Sequence, residues 1–318
     1  MKKNLKSILA WIAVIALVYI ILAALINSGF LGVYYIQILM GIGISMIMAM
    51  GTNLVLGFSG QFSLGQAGFM AIGAYATAII TDFNPTYAGY YLSMVVGALL
   101  AGIVAVIVGF PTLRLKGDYL AIATLGVSEI IRIAIVNGGE LTNGAAGLTG
   151  ILSYSQWTTV FIFVVLILIF FMNYLRSSFG RQVISVREDE IAAEAMGVNT
   201  TKVKVMTFAI AAMTASIAGS LYVGYIGTIA PKDFTIMRSI DYLIIAVLGG
   251  LGSMTGTIVA AVVLGFLNMY LQNFSDVRMI IYSLTLILVM VFRPGGLLGT
   301  KEFSFARLFK KKTKEGRQ

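Results

Sequence analysis

Ten apolar runs follow one another with little between them, at about 8–26, 33–56, 66–81, 90–113, 119–136, 157–175, 204–229, 237–248, 254–272 and 279–292. Most approach the ~20 residues that a helix needs to cross a bilayer. A soluble domain carries roughly 25% charged residues, whereas this chain has 11%, with 59% hydrophobic residues. Inside lipid the backbone must satisfy its own hydrogen bonds, which leaves helical bundles or closed barrels. The runs are continuous rather than alternating, so the sequence predicts an all-α, polytopic transmembrane bundle with about ten membrane segments. Residues 1–318 read as one transmembrane domain. Runs 66–81, 237–248 and 279–292 are short for a crossing, and such runs are often re-entrant or buried in protein. Eight crossings, with 237–248 and 254–272 as one broken hairpin, also satisfy the pattern.

Charge placement orients the helices. The formal net charge is +9, but the basic residues are not arranged as a nucleic-acid surface. Lys2, Lys3, Lys6, Arg114, Lys116, Arg176, Arg181, Arg187, Lys202, Lys204, Arg293 and the Lys and Arg of the 300–318 tail fall on alternate connections. Only Arg132, Lys232, Arg238 and Arg278 lie elsewhere. This is the positive-inside pattern, and it predicts a multi-pass membrane protein with both termini cytoplasmic. Run 8–26 is longer than a signal-peptide core and no clear small-residue cleavage site follows it, so it reads as a retained first helix. The outside face then receives 81–90, the long 137–156 connection, 230–234 and 273–276.

One stretch does not suit a spanning helix. GFSGQFSLGQAG (57–68) places Gly57, Gly60, Gly65 and Gly68 among Ser59, Gln61, Ser63 and Gln66. A weak internal echo, LGGLGSMTGTIVAAVVLGF (248–266), carries Gly249, Gly250 and Gly252 ahead of another short run. Paired glycine-interrupted segments in two halves point to a pathway built from pseudo-symmetric repeats. Glycines also permit close helix packing. Packing accounts for the glycines of 57–68 but not for Gln61 and Gln66, so that stretch reads as pathway. For 249–256 both readings stand.

The longest inside connection, 176–204, centres on an amphipathic helix. Val183, Ile184, Val186 and Ile191 interleave with Arg187, Glu188, Asp189, Glu190 and Glu194, and Gly197 suits a helix stop. Such an element is a docking surface for a partner or a solvated loop. Glu129 and Arg132 share one face of the fifth run, either lining a pathway or neutralising each other. Asp241 reads as shallow, close to Arg238. The glycine-rich 137–156 connection is a lid or a linker. With no Cys and no His, thiol chemistry, His-based metal sites and His proton relays are excluded. No G-x-x-x-x-G-K-[ST] loop is present, and no cofactor is implied.

Four blocks resemble the permease subunits of branched-chain amino acid ABC importers of the LivM type: NLVLGFSGQFSLGQAGFMAIGAY (53–75), GDYLAIATLGVSEIIR with ELTNGAAGLTGI (117–132 and 140–151), FGRQVISVREDEIAAEAMGVN (179–199), and DYLIIAVLGGLGSMTGTIVAA ending in FRPGGLLG (241–261 and 292–299). The resemblance implies a heterodimer with a homologous second permease, two cytoplasmic ATPase subunits that hydrolyse ATP, and an extracytoplasmic substrate-binding protein, all at the lipid membrane. It also implies that IAAEAMG (191–197) is the EAA-x-x-x-G coupling motif, matched at Ala192, Ala193 and Gly197, with Ile191 at its first position. Import of urea or short amides by the same architecture, or action as a secondary transporter or channel, are the alternatives.

Overall fold

The computed structural model describes residues 2–271 apart from 30 and 116, together with 284, 287, 296, 297 and 299. The chain order is α1 (Lys2–Asn27), α2 (Val33–Asn53), α3 (Gln66–Phe83), α4 (Tyr87–Thr112), α5 (Asp118–Val136), β1 (Leu148–Thr149), α6 (Trp157–Arg176), α7 (Ser178–Glu188), α8 (Glu190–Ala195), α9 (Thr200–Ile226), β2 (Thr228–Ile229), α10 (Ile236–Gly249) and α11 (Met254–Leu271). Apart from 284 and 287, the run 279–292 lies outside the described residues, as do the 273–276 connection and the 300–318 tail.

Seven of the described helices are long and apolar enough to cross a membrane: residues 10–27, 33–58, 87–112, 118–136, 157–176, 200–226 and 254–271. The chain is therefore a multi-pass, all-α membrane protein. The short runs 66–81 and 237–248 become α3 and α10, which are shielded by protein. α10 and α11 form a helical hairpin across a four-residue break (250–253), as the broken-hairpin reading expects. α9 begins at Thr200, before its apolar run, because the Asn199 side chain accepts a 2.9 Å bond from the Lys202 N–H and fixes the start.

Small residues set the centre of the bundle. α3 lies between α4 and α9, and a Cβ on Gly73 would come within 1.9 Å of the Ser216 carbonyl oxygen. A Cβ on Gly219 would come within 2.0 Å of the Met70 carbonyl oxygen. Without a hydrophobic driving force between helices in lipid, such close backbone approach supplies the packing energy. The Ser220 hydroxyl donates to the Gly73 carbonyl at 3.2 Å and adds a polar tie. By contrast, α1 sits on the outside, where Tyr19 stacks on Trp157 of α6 at 5.3 Å between centroids. Exposed Ile, Leu and Val side chains on α1, α4, α5 and α6 give these helices a lipid-facing surface.

At the end opposite the basic 176–204 segment, β1 pairs antiparallel with β2, Leu148 against Ile229 and Thr149 against Thr228. The 137–156 connection is therefore anchored to the 228–234 connection rather than hanging free. Thr142 donates to the Ile135 carbonyl at 2.6 Å and ties its start to α5.

Gly219→Val should destabilise the protein by about 1–3 kcal/mol, the usual cost of overpacking. Thermal melting in detergent checks this, and an unchanged melting temperature would mean that α3 and α9 do not meet as described.

Candidate translocation and coupling site

The stretch 57–68 is a helix break of definite shape. α2 does not stop at Asn53 but widens into a π turn over Leu54–Phe58, a form frequent at functional sites. Gly60 then takes a left-handed conformation, φ +69°. Non-helical chain follows to Gly65, and α3 starts at Gln66. Six residues at about 3.3 Å each span at most about 20 Å, so this chain carries the start of α3 well into the bundle. There the Ala67 N–H, in the first turn of α3, donates to the Ser239 hydroxyl of α10 at 3.0 Å. The Leu64 N–H donates to the Thr124 hydroxyl of α5, also at 3.0 Å. Backbone groups that a helix would satisfy internally are thus held by neighbouring helices.

The second glycine-rich segment is also a break, and the two breaks touch. Gly250 and Gly252 have φ of +113° and +87°, conformations that glycine adopts without a Cβ penalty. Asn53, the last residue of α2, joins them. Its Nδ2 donates to the Gly250 carbonyl at 3.2 Å, the Ser253 carbonyl at 3.0 Å and the Thr257 hydroxyl at 2.6 Å. Its Oδ1 accepts the Gly252 N–H at 3.0 Å. A Cβ on Gly57 would fall 1.9 Å from that Oδ1 and 2.4 Å from the Gly252 nitrogen. Gly249 closes on Thr257 and Gly256 of α11. Nothing in the composition of the apolar run singles out Asn53. A lone buried amide at the end of such a run was the available signal.

The 176–204 segment meets the first break directly. The Arg187 Nη1 donates to the Gly57 carbonyl at 2.6 Å, and its Nη2 pairs with Glu188 at 3.1 Å. Gln61 Nε2 donates to the Ser59 hydroxyl at 2.6 Å and to the Lys204 carbonyl at 3.2 Å. Lys204 in turn pairs with Glu190 at 2.6 Å. A cavity of about 250 Å³ opens here, lined by Ser59, Gly60, Gln61, Arg187, Glu190 and Lys204 among others.

The amphipathic helix expected at the centre of 176–204 is two helices, not one. Asp189 breaks it, because its Oδ1 accepts the Ile191 and Ala192 N–H groups at 2.9 and 3.0 Å and caps α8. Ala193 is buried. Glu194 accepts from the Thr200 hydroxyl at 3.3 Å. Gly197, φ +84°, donates its N–H to the Glu194 carbonyl at 2.9 Å and ends the helix. The acidic residues of this segment thus serve within the chain, whereas Ile191 and Met196 stand 78% and 84% exposed.

The other expected pathway residues are more dispersed. Ser59, Gln61, Ser63 and Gln66 are all buried. Ser63 accepts the Gly65 N–H at 3.3 Å. Among the described residues neither polar atom of the Gln66 amide has a partner, and Gln61 Oε1 has none. Glu129 and Arg132 pair with each other on α5, Arg132 Nε lying 3.0 Å from both carboxylate oxygens. They take no part in the cluster around the breaks.

Asn53→Ala should remove the tie between the two breaks and leave the buried Gly252 N–H without an acceptor, which costs about 1–3 kcal/mol. Asn53→Asp keeps that acceptor but loses the donor, so it should fall between Ala and wild type at most. Thermal melting of the three proteins ranks them, and an Asn53→Ala protein as stable as wild type would contradict the contact.

Residues 34–291 match the family described as branched-chain amino acid transport system / permease component. The high-affinity branched-chain amino acid transport system permease protein LivM of Salmonella typhimurium is 34% identical over 72% of this chain and 62% of its own length. LivM of Escherichia coli is 33% identical over the same shares. The permease protein LivH of Escherichia coli is 30% identical over 56% of this chain and 58% of its own. The chain thus spans 62% of the length of these two LivM relatives. No solved structure matches it. The chain belongs to the branched-chain amino acid transport system permease component family.

Proposed function

We propose that the chain is a permease subunit of an ATP-driven importer for branched-chain amino acids. In this reading it forms a translocation pathway with a homologous second permease, binds two cytoplasmic ATPase subunits through 176–204, and receives solute from an extracytoplasmic binding protein. ATP is hydrolysed by those partners and not by this chain. Family membership and similarity to both LivM and LivH support the reading. The observation that carries the coupling role is Arg187, which reaches from the 176–204 segment to the Gly57 carbonyl inside the first break.

Orientation follows from charge. With 176–204 and the basic 300–318 tail at the cytoplasmic side, both termini are cytoplasmic, and the joined 137–156 and 228–234 connections face the binding protein. The exposed Ile191 and Met196 are the apolar contacts for the ATPase. Arg187, Glu188, Asp189, Glu190, Ala192, Ala193, Glu194 and Gly197 hold α7 and α8 in the shape that presents them. Nucleotide-driven closure of the ATPases moves this unit. Arg187 and the Glu190–Lys204–Gln61 chain pass the displacement to the breaks at 57–68 and 249–253. A shift between outward-open and inward-open states needs contacts that differ in the two states, and glycine-rich breaks yield more readily than continuous helices. Ser59, Ser63, Gln61 and Gln66, with the backbone at Gly57, Gly60, Gly249, Gly250 and Gly252, line the path. They offer polar groups without a full charge that would trap the solute. Glu129 stands toward its outer part.

Ile191→Glu with Met196→Glu should leave the chain folded but cut solute uptake by the assembled transporter to under about one tenth, through loss of apolar contact. Unchanged uptake in vesicles would remove α8 from the docking surface. Gln66→Leu tests the pathway. Its amide has no partner among the described residues, so melting should be unchanged or raised, while uptake falls severalfold. Full uptake would return Gln66 to a packing role.

A further inference from the structure

A second cavity, of about 330 Å³, lies between α2, α9, α10 and α11, away from the coupling cluster. Its polar lining is Ser45, Tyr222, Tyr225, Arg238, Asp241, Tyr242 and Asn268. Ile38, Ile42, Ile44 and Ile245 supply an apolar wall. Volume and mixed lining both fall within the range of small-molecule sites.

Arg238 is the unusual group. It stands in the first turn of α10 inside the bundle, where a charged side chain is costly and seldom without a task. Its guanidinium lies 4.9 Å over the ring of Tyr222. No carboxylate among the described residues forms an ion pair with it. Its Nε is buried with no hydrogen-bond partner among the described residues. Tyr222 and Tyr242 engage its side chain, and its planar guanidinium is a donor group of the kind that binds a carboxylate. Asp241, three residues on, stands on the same face of α10 and lines the same cavity. Arg238 in a partly apolar cavity suits the carboxylate of a small solute with an aliphatic side chain.

The same two turns of α10 also hold the start of α3. Ser239 accepts the Ala67 N–H at 3.0 Å, and the Tyr242 hydroxyl meets the Met70 sulfur at 3.5 Å. A solute gripped by Arg238 would therefore bear on the helix that anchors the start of α3.

We propose that this cavity is a solute site in which Arg238 receives the α-carboxylate of an amino acid. The assignment rests on the reading of the chain as an amino acid permease. The chain has no cysteine, so Ser45→Cys places a single thiol of this chain on the cavity wall. The test measures its modification by a methanethiosulfonate reagent in the assembled transporter, with L-leucine or L-leucinamide present. Leucine should slow modification at least threefold. Leucinamide, which lacks the carboxylate, should not. Adding Arg238→Gln should abolish the protection, and Arg238→Lys should keep part of it. Equal protection by leucinamide, protection that survives Arg238→Gln, or no protection in a transporter that imports leucine would overturn the site while leaving the permease reading intact. If the intact transporter imports no leucine at all, both fall. Should Arg238→Gln fail to assemble, the comparison of leucine with leucinamide on Ser45→Cys alone decides.

Discussion

The side chain of Asn53 holds the two helix breaks of this protein against each other. One amide, buried at the end of α2, donates to the chain at Gly250, Ser253 and Thr257 and accepts from Gly252. A buried amide left unsatisfied is costly, and a satisfied one in a medium of low dielectric holds its neighbours firmly. The close approach is possible because Gly57 and Gly252 have no side chains to keep the breaks apart. Arg187 then places a charged donor on the Gly57 carbonyl, so three segments distant in sequence meet within a few ångströms. Everything proposed about coupling depends on that junction.

Two kinds of contact divide the labour. The α3–α4–α9 centre is built from small residues packed backbone to backbone, with Gly73, Gly97 and Gly219 each meeting a neighbouring helix closely. Such packing is stiff, because no side chain can change rotamer to relieve a displacement. The breaks are held by hydrogen bonds between polar groups and free backbone, which can exchange one partner for another. A rigid centre beside an adjustable break suits a protein that must alternate between states without losing its fold. It also explains why the polar residues of 57–68 are buried and yet not all partnered.

Much of this was legible in the sequence, and the rest was hidden for identifiable reasons. Hydropathy placed the helices within a few residues, because in lipid a continuous apolar run has few alternatives to helix. The ten-run tally becomes seven long helices and two shorter elements within the described residues, since hydropathy cannot distinguish lipid from protein as the apolar surrounding of α3 and α10. The glycine spacing marked both breaks, and Gly197 marked the end of α8. The capping role of Asp189 was not legible, because in an amphipathic pattern an aspartate reads equally well as a solvent-facing helical residue. The role of Asn53 was hidden because its partners lie about two hundred residues away, at 250–257. The echo between 57–68 and 248–266 suggested related segments, but periodicity carries no information about contact. The proposed docking surface is apolar rather than acidic, because Glu190 and Glu194 are engaged within the chain.

The central claim is that motion of the 176–204 segment reaches the breaks through Arg187. The most direct measurement is the number of solute molecules imported per ATP hydrolysed by the assembled transporter carrying Arg187→Ala. Loss of the bond to the Gly57 carbonyl should leave ATP hydrolysis running while uptake per ATP falls by about tenfold, the effect of one lost charge-assisted hydrogen bond of ~1.5 kcal/mol. An unchanged ratio of uptake to hydrolysis would show that force reaches the pathway by another route.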